Sequence, residues 1–219
     1  MVKRMKLLNG KPRGSEKGNA LLEFAAVSIV VIPLFFGMVG AGIQLGRMNE
    51  AVQICRDAAH MYARGVDFSQ VANQNILVNL ATGTGMTVNG GNGVVIMSQI
   101  SQVYLADCTA ASLTAGQCTN LGKLVFINRL VTGNAGLRAS NYGTPPAGVI
   151  DAQGNIAASG YLTNASVALT GSMASELTNA GLTLSDGDVA YLTEFYESMP
   201  DLSFLGTSGS GGVYAKAVF

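Results

Sequence analysis

Charge is scarce in this chain, since Asp, Glu, Lys and Arg make up 12% of its 219 residues against about 25% in ordinary globular proteins. It is also unevenly placed. Residues 1–18 hold six basic side chains, Lys3, Arg4, Lys6, Lys11, Arg13 and Lys17, against Glu16 alone, a net of +5, while the remainder holds seven basic and twelve acidic, a net of −5. The negative balance beyond residue 18 excludes a nucleic-acid-binding surface. The basic tract directly precedes an apolar segment, where it reads as a topology signal.

Histidine is rarer still. His60 stands alone, so no second imidazole is available to share a metal. Three cysteines, Cys55, Cys108 and Cys118, leave one pair and one odd thiol. No internal repeat is present, which argues against a repeat array. Gly206-Thr207-Ser208-Gly209-Ser210 lacks the final glycine of a nucleophile elbow and reads as a flexible loop. Asp186-Gly187-Asp188 supplies only part of a calcium loop, without EF-hand spacing, and reads as a turn before a strand. Glu194 and Glu197 lie three apart on an expected strand, point to opposite faces, and do not form an acid–base pair. Asn164-Ala165-Ser166 matches a glycosylation acceptor but reads as plain loop. These patterns imply no catalytic residue, metal or cofactor, and the chain is not expected to be an enzyme.

Residues 24–45, by contrast, form an apolar run with no charged side chain. As a helix its 22 residues span about 33 Å, the thickness of a bilayer core. The basic leader then holds the N-terminus in the cytoplasm and sends everything after Arg47 to the outer side. Pro33 is compatible with a kinked membrane helix. A rival reading is an ordinary secretory signal cut near Gly40 or Gly42. A lipoprotein fits poorly, because Cys55 follows Val52-Gln53-Ile54 without a small residue before it. Glu23 sits at the edge of the run, where a carboxylate drawn to mid-membrane would cost about 2.5–3.5 kcal/mol and therefore calls for a partner.

The order Gly18-Asn19-Ala20-Leu21-Leu22-Glu23-Phe24, a basic leader ending at glycine with a lone carboxylate five residues later, resembles a prepilin cleavage site. With Ala20-Leu21-Leu22-Glu23-Phe24-Ala25, Ile32-Pro33, a glycine-containing apolar tail, Ala58-Ala59 and Ala63-Arg64-Gly65, the stretch from residue 18 to about residue 65 resembles the TadE-like family of minor pilins or pseudopilins of tight-adherence pili. That resemblance implies cleavage between Gly18 and Asn19 by a prepilin peptidase on the cytoplasmic face, with the helix kept in the mature chain. It implies that Glu23 pairs with the new α-amino group of a neighbouring subunit's Asn19. It also implies a bacterial inner-membrane location, a periplasmic or extracellular C-terminal domain, and other pilin subunits and the pilus assembly machinery as partners. A membrane-anchored adhesin or binding module stays open as the alternative, with Tyr191, Phe195 and Tyr196 or the glycine-rich loops meeting a ligand.

Beyond the membrane run, Leu45, Met48, Val52, Cys55, Ala59, Tyr62 and Val66 recur at helical spacing and predict one apolar stripe. Gly65 is the expected stop, with Asp67 and Gln70 resembling a capping pair for a second helix through Val71, Ile76 and Leu80. Gly37, Ala41, Gly42 and Gly46 would permit close approach of another membrane helix. After Gly85 the texture becomes β-rich, with strands expected at 94–105, 123–131, 189–198 and 213–219 and a short helix at 172–179. Cys108 and Cys118 flank a loop between two of those strands, where an outer location lets them pair, and Cys55 is expected to be a buried free thiol. The expected fold is α+β and pilin-like: a long N-terminal transmembrane helix, extended outside the membrane, packed with a C-terminal antiparallel β-rich domain. Its parts are a leader (1–18), a membrane helix (19–46), an outer helical segment (47–82) and a β-rich domain (83–219).

Overall fold

The computed structural model describes residues 15–171, 174–179, 181–199 and 211–219. The chain divides into two compact units, Met1–Gln44 and Leu45–Phe219. Helix α1, Ser15–Ala63, is 49 residues long and supplies both units. It stops where Gly65 takes φ +83°, a left-handed conformation that costs glycine least. There the Gly65 N–H donates to the Tyr62 carbonyl and the Val66 N–H to the Met61 carbonyl, the paired bonds of a Schellman motif. Helix α2 follows at Val71–Leu80. The expected capping pair takes another form: Gln70 is itself the N-cap residue and makes no side-chain cap bond. Asp67 instead accepts from the Ser69 N–H and from Gln70 Nε2, turning the chain before the helix begins.

A small hairpin, β1 (Met86–Thr87) and β2 (Gly90–Gly91), leads into strand β3, Gly93–Gln102. Helix α3, Leu105–Ala110, comes next, so the strand expected through 105 ends three residues early. The reason is local: Asp107 Oδ2 accepts from the Tyr104 N–H at 2.8 Å and starts a helix there. Strand β4, Leu124–Gly133, returns antiparallel to β3 with a register shift between Gln99 and Ile100. A mostly irregular stretch then contains helices α4 (Ala158–Thr163) and α5 (Ala174–Asn179). Strands β5 (Ala190–Ser198) and β6 (Gly212–Val218) complete an antiparallel sheet ordered β4-β3-β5-β6.

Within the Leu45–Phe219 unit the sheet is covered on both faces, because alternate side chains of each strand are apolar in both directions. One face carries Val95, Met97, Phe195, Val213 and Ala215, packed under Ala51, Ile54, Cys55, Ala58 and Tyr62 of α1. The other carries Ile100, Phe126 and Leu192, packed under Tyr142, Ile156, Leu162 and Val167 from the irregular stretch. The apolar stripe of α1 matches the expected one at Cys55, Ala59 and Tyr62, which are buried, and departs from it elsewhere. Leu45, Met48 and Val52 are exposed, while Ala51, Ile54 and Ala58 face the sheet. Small alanines let the helix approach the strands closely, and that contact, more than side-chain hydrophobicity, sets which face turns inward.

Candidate functional site: the apolar helix and the charges that bound it

In the Met1–Gln44 unit the described side chains begin at Asn19. Gly18 lies within α1, and Asn19 and Glu23 are exposed along the helix. Lys3, Arg4, Lys6, Lys11 and Arg13 of the leader fall outside the described residues, as does the loop Gly206-Thr207-Ser208-Gly209-Ser210.

The side chains that follow Glu23 are apolar and bare. Phe24 is 75% exposed, Ile29 74% and Phe35 60%, and only 6% of the most apolar window is buried. Apolar surface on that scale is unfavourable in water at about 25 cal/mol per Å². The helix is long and apolar enough to cross a membrane, a property that signal sequences share. Within the run Ser28 Oγ donates to the Phe24 carbonyl at 2.7 Å. Pro33 lacks an N–H and removes one rung of the helical ladder. At Gly37 and Gly42 an added Cβ would meet nothing within 4 Å, so the surface at these positions is open.

The first charge after the run, Arg47, belongs to the Leu45–Phe219 unit and is held firmly. Its Nη1 donates to the Gly83 carbonyl at 2.6 Å and lies 3.4 Å from both Glu50 Oε2 and Glu197 Oε1. Glu197, at the end of β5, is buried, and its Oε2 has no hydrogen-bond partner among the described residues. Burial pushes its carboxyl above the ordinary carboxylate range; Arg47 opposes that shift and Glu50 adds to it. Sequence reading missed this cluster. Arg47 was visible as the residue ending the run and Glu50 stands at helical spacing from it, but the buried partner Glu197 lies 150 positions away and no spacing rule connects the two.

The remaining candidate residues separate. Cys108, in α3, and Cys118 are joined by a disulfide with Cα atoms 5.9 Å apart, both buried. Cys55 is free and buried, its Sγ donating to the Thr193 carbonyl at 3.3 Å. Burial, with the Glu194 charge adding, pushes its thiol up to about 12, so it carries almost no thiolate at neutral pH. His60 is exposed, with its ring 4.3 Å from that of Phe219. Glu194 and Glu197 serve opposite faces of the sheet. Glu194 is buried and accepts from the Asn141 N–H at 2.9 Å, Tyr214 Oη at 2.8 Å and Ser140 Oγ. Asp188 Oδ2 accepts from the Ser185 N–H and closes the turn before β5. Asn164 Oδ1 accepts from the Ser166 N–H and caps a one-turn 3-10 helix, Ala165–Val167, where a plain loop was expected. Among the described residues no three His, Cys, Asp or Glu side chains gather to hold a metal ion. Phe195 is fully buried and Tyr191 packs edge-on against Tyr62 at 5.4 Å. Comparison with protein-family models, with curated proteins and with solved structures finds no match.

Proposed function

We propose that this chain is a non-enzymatic pilin-like subunit, a minor pilin or pseudopilin of the TadE-like kind, which helps to assemble or initiate a tight-adherence or type IV-like pilus. One observation carries the reading: a helical run of bare apolar side chains directly follows a lone carboxylate, Glu23, and a basic leader ending at Gly18. A prepilin peptidase removes the leader after Gly18, and the helix waits in the inner membrane with the Leu45–Phe219 unit outside. Glu23 then meets the Asn19 amine of a neighbouring subunit during assembly. Of the aromatic candidates for the alternative, an anchored adhesin or binding module, Phe195 is buried while Tyr191 and Tyr196 are half-buried on β5.

Mass spectrometry of the chain recovered from the membrane fraction tests the proposal. Asn19 as first residue supports prepilin processing; a start beyond Gly40 would mean ordinary signal cleavage and would sink it, and an intact Met1 would mean an uncleaved anchor. A bulky residue in place of Gly18 should block the cut, because the peptidase must fit the backbone where glycine alone has no side chain. Glu23→Ala should insert normally yet fail to support pilus formation. Wild-type piliation by that variant would refute the pairing with Asn19.

A further inference from the structure

On the helix-bearing face of the sheet, beside the C-terminal end of α1, lies a groove of about 280 Å³. Four amide residues line it: Gln99 of β3, Asn128 of β4, and Gln153 and Asn155 from the turn that bridges back to β4. The buried Asn128 is oriented by its neighbours. Its Oδ1 accepts from Tyr62 Oη at 2.7 Å, while its Nδ2 donates to Asn155 Oδ1 at 2.7 Å and to the Gln153 carbonyl at 3.3 Å. The half-buried Gln99 side chain lines the groove beside Tyr62. Asn155 and Gln153 are exposed at the rim. Val66 and Leu130 add apolar surface between them.

The chemistry of this wall is specific. Asn128 is used up in holding the wall, but Gln99, Gln153 and Asn155 are amides with donors and acceptors and no net charge, which matches a ligand dense in hydroxyl groups. No basic residue lines the groove, and its single acid, Asp67, already accepts from Ser69 and Gln70. An anion would therefore find no counter-charge, and a purely apolar ligand would cover the exposed Gln153 amide without giving it a hydrogen bond. Val66 and Leu130 suit the C–H face of a sugar ring. We propose that this groove binds one uncharged saccharide unit, its hydroxyl groups bridging Gln99, Gln153 and Asn155. The inference stands apart from the pilus reading, since it uses only the groove.

The test uses the full chain in lipid nanodiscs, which keeps glycoside detergents out of the groove. Glucose, galactose, mannose and N-acetylglucosamine are titrated in turn, and saturation transfer from protein to sugar is followed by NMR. At least one sugar should give a saturable signal. Gln153→Ala, at an exposed position that leaves the fold intact, and Gln99→Leu should each weaken that binding by about fivefold, the effect of one neutral hydrogen bond. Absence of saturable binding by all four sugars would overturn the proposal. So would binding that ignores both substitutions, or tighter binding of glucuronate than of glucose.

Discussion

The two stretches of α1 are made of similar residues and live by different rules. Before Gln44 its large apolar side chains are bare. After Leu45 its inner face is sealed: Ala51, Ala58 and Ala59 are completely buried and Ile54 and Cys55 nearly so. The first stretch needs a surrounding apolar phase to be stable, whereas the second takes its stability from a sheet in the same chain. Hydrophobicity alone does not distinguish them. What differs is whether strands with complementary small and apolar positions exist to receive the helix.

Substitutions can break that contrast. Phe195→Ala empties a fully buried position under α1 and should cost about 3–5 kcal/mol in chemical denaturation of the full chain. Phe35→Ala, in the bare stretch, should leave the denaturation midpoint of the Leu45–Phe219 unit unchanged. Equal losses at the two positions would show that the two units do not unfold independently. The reverse asymmetry should appear for charge. Val31→Lys should raise the apparent free energy of membrane insertion by about 2.5–3.5 kcal/mol in a vesicle insertion assay. Arg56→Glu, on the exposed side of the outer stretch, should leave insertion unaltered.

The disulfide sharpens the comparison from the other face of the sheet. Replacing Cys108 and Cys118 by serine should cost roughly 3 kcal/mol, the loop-closure effect for so short a loop, without altering insertion. The smallest effect concerns Glu197. Its folded-state carboxyl sits above the ordinary range, so ionisation works against the fold, and stability falls as pH rises through that raised value. Glu197→Gln should flatten stability against pH in that window, and at pH 7 should leave the chain at least as stable as wild type. A steeper pH profile in the variant would mean that the pair with Arg47 outweighs the burial.

Much of the fold was legible because its signals are local. Twenty-two uncharged residues announce the helix, Gly65 marks its end, and the four principal strands fall within a few residues of their expected positions. The stripe on α1 was legible at Cys55, Ala59 and Tyr62, but Ala51 and Ala58 were missed because alanine scores as weakly apolar, while a helix lying close on a sheet selects it for size. The stretch between β4 and β5 was largely illegible. Tyr142, Ile156, Leu162 and Val167 all enter the second core, yet no period of two or 3.6 connects side chains spread over loops and one-turn helices. Buried charge was hidden for the same reason. Glu194 is held by Ser140, Asn141 and Tyr214, and Arg129 donates to Ser98 Oγ and to the Gly143 carbonyl.

The strand order β4-β3-β5-β6 also sets a timetable. Strand β3 finds β4 soon after it is made, but its other neighbour is β5, and the sealed face of α1 waits for Phe195, Val213 and Ala215. The bond from Cys55 to Thr193 closes a sequence separation of 138 residues. Contacts of that range place folding among the slow classes, from milliseconds to seconds. A chain emerging N-terminus first therefore leaves α1 uncovered and β3 half-paired until nearly all of it has appeared. Protease sensitivity and chaperone dependence should concentrate in that interval and vanish once β6 zips against β5.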